Sequence, residues 1–318
     1  MVKLSQKAKA DKAMKDVLSE TLCEMGAEDR RVVVFDADLA GPSGTAVFGK
    51  KFPERFFDCG IMEANMAGAA GGISESGAIP FIHSFSAFAS RKCMDQIFMA
   101  MCYPKANVKI LASDPGITAQ DNGGSHQGME DMGMLMGLHN ITLLEPADDV
   151  AFRWMLRTVK DTWGVHYIRF FRRAQDSIYD QDTQFELGKA NILRDGSDVT
   201  IFASGIEVRE ALTAADLLAA KGIRARVADM FTWKPIDEQM IVRCARETGA
   251  IVTAENHSED NGLGHAVAAV LAQTVPCPCE FIGIHEFGEV GDLPFLLRRF
   301  GLGAESIAAA AEKAIARK

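Results

Sequence analysis

One stretch limits this chain more than any other. Residues 60–76, GIMEANMAGAAGGISES, are dominated by small side chains and carry one carboxylate, Glu63, in their first turn, with Glu75 at their far end. With a 3.6-residue period, Glu63 shares a helix face with Met66, Ala67, Ala70 and Ser74. That face is mostly apolar and short, so another backbone or a flat ligand can come close. A carboxylate there must be paired, hydrogen-bonded or protonated, because desolvation disfavours its charged form. The turn signal Asp58-Cys59-Gly60 precedes the helix and Gly77 ends it. Ile79-Pro80-Phe81-Ile82 then reads as a short buried strand leading to two aromatics, Phe85 and Phe88. A buried acid followed by an aromatic shelf suits a protonatable heteroaromatic ring. The same features also fit a plain core, since a first-turn Glu is favoured by the helix dipole and phenylalanines pack interiors.

Around this stretch, strands and helices alternate. Expected strands lie at 31–36, 79–83, 108–112, 141–144 and 166–170, with helices at 10–26, 60–76, 88–103, 128–138 and 147–160. A second set has strands at 198–203, 223–230 and 250–255 and helices at 207–220, 237–247, 265–273 and 305–316. Compact apolar runs such as Arg31-Val32-Val33-Val34-Phe35-Asp36 are typical of parallel strands covered on both faces. The pattern predicts an α/β chain of two domains, 1–180 and 196–318, joined by a polar linker at 181–195. Loops after strands, Ala40 to Gly44 and Ser113 to His126, sit where such folds bind ligands.

Composition excludes several classes. A formal net charge of −9 argues against a general nucleic-acid or anionic-membrane binder. No stretch has the apolar length of a membrane span, and the N-terminus lacks an apolar signal core. Seven scattered cysteines without CxxC fit a reducing compartment, so a cytoplasmic location is expected. The close pair Cys277/Cys279 has no His or Cys cluster at zinc spacing beside it, so no metal site is expected in this chain. P-loop, HExxH, nucleophile-elbow and GxGxxG motifs are missing.

The segments RVVVFDADL, FFDCGIMEANMAGAAGGIS, IHSFSAF, NGGSHQGMEDM and YIRFFRR resemble, in order, the pyrimidine-binding domain of transketolase-type thiamine diphosphate enzymes. DVTIFASGIEVREALTAADLL, GIRARVADMFTWKPID and IVTAENHSEDNGLGHAV resemble the C-terminal domain that follows it in that family. The resemblance covers nearly the whole chain. It implies a parallel-sheet pyrimidine-binding domain followed by a smaller α/β C-terminal domain. No GDG motif occurs. The resemblance therefore implies the C-terminal subunit of a split transketolase. An N-terminal partner subunit would carry the pyrophosphate-binding domain and most contacts to Mg2+ or another divalent ion, in a heterotetramer or dimer.

Residue roles follow from the resemblance. Glu63 matches the glutamate that hydrogen-bonds the aminopyrimidine of thiamine diphosphate and activates it. Phe85 and Phe88 match the aromatics that pack on that ring, with Ile61, Met62 and Arg91 lining the same pocket. His126 matches a proton-transferring imidazole at the substrate; Ser43, Asn122 and Arg172 match positions that bind sugar-phosphate substrates. The implied activity is transfer of a two-carbon ketol unit from a ketose phosphate to an aldehyde. Departures from the sugar-transketolase pattern concern the substrates. Asn122 stands where an Asp reads the acceptor, a His near Ser113 is missing, and Lys12 replaces an Arg. Arg91 in place of a Tyr resembles the deoxyxylulose-phosphate synthases. That activity, the β-subunit of a 2-oxo acid dehydrogenase and a non-catalytic assembly subunit are the alternatives. His257 and the Asn261–Gly264 turn are expected in an interface or packing role.

Overall fold

The computed structural model describes residues 2–318. Its strands are β1 (Val32–Asp36), β2 (Phe56–Asp58), β3 (Ile79–Phe85), β4 (Lys109–Ser113), β5 (Ile141–Leu144), β6 (Val165–Phe170), β7 (Asn191–Arg194), β8 (Val199–Ala203), β9 (Ala225–Asp229), β10 (Thr232–Lys234), β11 (Ile251–Ser258) and β12 (Cys279–Ile284). Seven form one sheet in the order β10-β5-β6-β4-β3-β1-β2, and five a second in the order β12-β11-β8-β9-β7. Pairing is parallel except at two edges, where β10 runs antiparallel to β5 and β7 antiparallel to β9. Every residue of β1, β3, β4 and β6 is buried, as expected for strands covered on both faces.

The helix Glu63–Ser74 forms as its pattern predicts, burying Glu63, Met66, Ala67, Ala70 and Ser74. The close approach allowed by its small residues is used. A Cβ on Gly71 would lie 2.4 Å from the carbonyl oxygen of Ala100. The neighbouring segment differs from expectation. In place of one helix over 88–103 there are a helix at Ser86–Arg91, a turn at Met94–Gln96 and a π-helical turn at Ile97–Cys102. The π turn carries the Ala100 carbonyl that packs on Gly71, so the irregularity sits where the two elements meet backbone to backbone.

Four strands were not legible. β2 and β10 have only three residues each. β7 lies within the stretch read as linker, and β12 is only partly buried. β10 matters most, because a segment that follows β9 of the second sheet completes the first. It carries the fully buried Trp233. It also carries Lys234, whose amine donates to the carbonyls of Met136 (2.7 Å) and Leu138 at the end of the helix Asp131–Met136.

The two sheets meet across a buried polar seam centred on Arg169 of β6. Its guanidinium reaches Asp131 at 2.6 Å, Glu145 at 2.9 Å and the carbonyl of Asn256 at 2.7 Å, and all three charged groups are buried. Tyr167 Oη also donates to Asp131, at 2.8 Å. His257 takes the packing role expected of it. It is fully buried, and its Nε2 accepts the Gly133 N–H at 3.0 Å while burial pushes its pKa down to about 4. Removing the cation from such a seam strands two carboxylates. Arg169→Met should cost about 3–5 kcal/mol of stability. Urea unfolding checks this, and a loss below about 1 kcal/mol would mean that the seam relaxes or takes up protons instead.

Candidate active site

The candidate residues converge at the carboxyl ends of β1, β3 and β4. Asp58 shapes the entry by accepting the N–H groups of Gly60 (3.0 Å) and Asp38 (3.1 Å). This turn sets Glu63 as the first residue of its helix, 4% exposed, with its carboxyl toward the segment that follows β3. There Lys92 Nζ donates to Glu63 Oε1 at 2.9 Å and lies 4.3 Å from the centre of the Phe88 ring. One cationic nitrogen therefore touches both the acid and the aromatic face. Sequence reasoning missed Lys92, although it follows Phe88 by four residues and so shares its helical face.

Phe85, Phe88 and His126 form one aromatic cluster. The His126 ring stands edge-on to Phe88 at 5.1 Å and to Phe85 at 5.8 Å, and its Nδ1 is 2.9 Å from Ser125 Oγ. Arg91 lines a cleft with Ala64 and Lys92 beside Glu63. It donates to the carbonyls of Ala87 and Ser125, both at 3.1 Å, and pairs with Glu130 at 3.2 Å, tying the Phe88 helix to the His126 loop. Ile61 and Met62 are 71% and 56% exposed beside Glu63 rather than packed over it. With exposed Phe98, Met99 and Tyr103 of the π turn and its end, they leave the elements around Glu63 with an apolar rim.

The positions expected to hold substrate are differently placed. Ser43 is buried, and its hydroxyl lies 3.3 Å from the Asp36 carboxylate and 3.1 Å from Thr45 Oγ1, so it is already engaged within the protein. Asp36 also accepts Thr45 Oγ1 at 2.7 Å and the Leu39 N–H at 2.6 Å, and lies 2.9 Å from His83 Nδ1. Burial opposes its ionisation, but His83, Thr45 and the Leu39 N–H together hold its carboxyl below the usual range. The other nitrogen of His83 is 3.1 Å from Ser113 Oγ. His83 thus bridges Asp36 of β1 and Ser113 of β4, since β1 and β3 pair Asp36 with His83 in register. Arg172 packs over Phe85, 5.4 Å from its centre, with Nε 2.9 Å from Asp114 Oδ2. Burial pushes Asp114 up to about 6 against the pull of Arg172. Asn122 is exposed at the end of the turn Gly116–Asn122, and Lys12 pairs with Glu20 at 2.6 Å on the surface.

The donor set fits a protonatable heteroaromatic ring. A buried carboxyl and an aromatic face already accommodate one N–H donor between them, where Lys92 now stands. Among the described residues, no group of three His, Cys, Asp or Glu side chains is arranged to hold a metal ion. No helix there is long and apolar enough to cross a membrane.

Comparison with known proteins agrees with this architecture. Residues 10–179 match the model of the transketolase pyrimidine-binding domain, and residues 188–307 that of the transketolase C-terminal domain. The chain is 44% identical over 306 residues to the 6-deoxy-6-sulfo-D-fructose transketolase subunit SqwH of Clostridium sp. (strain MSTE9), covering 96% of this chain and 95% of that protein. It is 33% identical to an apulose-4-phosphate transketolase subunit of Phocaeicola vulgatus, over 93% of this chain and 95% of the other. A solved structure described as a split gene transketolase, inactive β4 tetramer, superposes with a TM-score of 0.88 at 41% identity, covering 97% of this chain and all of that one. Two consecutive domain matches, with relatives alike from end to end, show that the chain belongs to the thiamine-dependent transketolase family and carries its pyrimidine-binding and C-terminal domains.

Proposed function

We propose that this chain is the cofactor-activating C-terminal subunit of a two-chain transketolase, working in the cytoplasm on a ketose donor and an aldehyde acceptor. The observation that carries this reading is the buried Glu63 carboxyl facing Phe88 across a single bound N–H donor. When bound, thiamine diphosphate would supply the carbon nucleophile that takes up and passes on a two-carbon ketol unit. Glu63 would give up its bond to Lys92 and hold a proton at the ring nitrogen of the aminopyrimidine, a task suited to a carboxyl in a dry site. Phe85 and Phe88 would exclude water and pack on that ring. His126, beside both, would move a proton at the donor's carbonyl or hydroxyl oxygen. The diphosphate and its divalent ion would fall to the partner chain, which the apolar rim of Ile61, Met62, Phe98 and Tyr103 would meet.

A ketose phosphate remains the donor class we favour, with Arg172 as its anion contact. Relatives named for a sulfonated ketose and for apulose 4-phosphate support an anionic donor. Ser43 would act indirectly, by holding Asp36. All seven cysteines are free, in keeping with a reducing compartment. The direct test is to assay the chain, reconstituted with its partner, for shortening of a ketose phosphate by two carbons and matching lengthening of an aldehyde. Absence of both products with every ketose would sink the reading.

The Arg172–Asp114 pair makes anion binding dependent on pH. Above about 6 Asp114 is ionised and competes with an incoming anion for Arg172. As pH falls through that value, Asp114 takes up a proton and Arg172 is released. Sulfate keeps its charge over this range and should inhibit competitively against the donor. Its inhibition constant should fall roughly two- to fivefold between about pH 7.5 and about pH 5, the worth of one partly exposed ion pair. In Asp114→Asn the tighter constant should hold at both pH values; an unchanged pH dependence in that variant would assign it to another group.

A further inference from the structure

The loop bearing His126 is shaped by the second domain. At its start, Asn256 of β11 accepts the Ile117 N–H at 2.9 Å and donates to the Pro115 carbonyl at 2.9 Å. At its end, the Ser258 N–H donates to the Met129 carbonyl at 2.6 Å. Between these clamps lies a strap, residues 285–291, that follows β12. Gln127, next to His126, is 2% exposed and donates through Nε2 to the Glu289 carbonyl at 2.9 Å. Its Oε1 is buried without a hydrogen-bond partner and lies against Gly288.

Glycines make this contact possible. A Cβ on Gly288 would fall 1.5 Å from Gln127 Oε1, and one on Gly124 would fall 2.7 Å from the Gly288 carbonyl oxygen. Gly123, at φ +69°, leaves 3.0 Å between a would-be Cβ and Val290. The two loops interlock backbone to backbone, with the side chains of Gln127 and, at its flexible end, Met129 reaching Gly288 across the joint. The joint also walls a cleft of about 400 Å3 that runs from Arg91 and Glu130 to His285 and Phe287.

We propose that the 285–291 strap of the C-terminal domain is a positioning element for His126. Gly288 and the Glu289 carbonyl hold Gln127, and through Gln127 they set where the His126 imidazole stands against Phe85 and Phe88. Leaving a buried amide oxygen unpaired costs stability. Tolerating that cost fits a contact that serves placement rather than folding. A proton-transfer group displaced by about 1 Å can lose a hundredfold in rate. The proposal rests on the reading of His126 as the substrate-side imidazole, and its test separates the two.

The test uses Gly288→Ala, Gln127→Ala and the double variant, with Glu286→Gln on the same strap as control. In the purified full chain with labelled histidine, the His126 ring resonance is assigned by its loss in His126→Gln. It should shift in Gly288→Ala and in Gln127→Ala, and stay in place in Glu286→Gln. In the reconstituted enzyme, Gly288→Ala should lower kcat by about ten- to a hundredfold with thiamine diphosphate affinity unchanged. Adding Gly288→Ala to Gln127→Ala should change kcat by less than about twofold, because the overlapping oxygen is already gone and the remaining close neighbour is the flexible end of Met129. An unmoved His126 resonance in both single variants, or effects that multiply in the double variant, would overturn the proposal. If the resonance shifts while His126→Gln leaves turnover unchanged, the strap still positions His126 and it is the catalytic reading of that residue that fails.

Discussion

Glu63→Ala is expected to lower kcat of the assembled enzyme by about 10²–10⁴-fold, the span typical of a lost proton-handling group. The fold should survive. Lys92, the group now bonded to Glu63, is 45% exposed, so removing the acid strands no buried charge. The helix keeps Met66, Ala67 and Ala70 in the core. Glu63→Gln sharpens the test, because an amide keeps the shape but cannot take the proton; it should be nearly as slow as alanine. Steady-state ketol transfer at saturating thiamine diphosphate, read beside circular dichroism and a melting curve, checks both parts. A kcat near wild type would remove Glu63 from the proposed role.

The second large effect is the dependence on a partner. The purified chain, given thiamine diphosphate, a divalent ion, ketose and aldehyde, should turn over below detection. Stoichiometric addition of the N-terminal subunit should restore full activity. The site on this chain has an acid, an aromatic shelf and the His126 imidazole beside it. Its rim, with Ile61 71% exposed and Tyr103 75% exposed, carries apolar surface that water does not favour. The solved relative described as an inactive β4 tetramer is consistent with this expectation. Turnover by the chain alone at the rate of the assembled pair would sink the two-chain reading.

Much of this molecule was legible because local rules and tertiary demands agree. The helix of Glu63 needed only its period and its small residues, and β1 and β3 needed only compact apolar runs. What stayed hidden depended on partners far away in sequence. β10 is a three-residue strand that exists because the edge of β5 is free to receive it. Ser43 looked like a loop hydroxyl at a ligand-binding edge, yet the Asp36 carboxylate claims it. Arg91 is expected to line the pocket, and only the fold shows that the Ser125 carbonyl and Glu130 also tie it to the neighbouring loop.

The sequence by itself determined the order of the elements, the alternation that makes parallel sheets, and the buried acid followed by aromatics, because each is written in the spacing of a few consecutive residues. The family resemblance was carried by the same short motifs. Tertiary structure alone decided which polar groups pair with one another. Lys92 reaches Glu63 across 29 positions, His83 reaches Asp36 across 47, and Gln127 reaches the Glu289 carbonyl across 162. Such pairs form because buried polar groups must find partners wherever the packed backbone brings them together. No local period records that meeting.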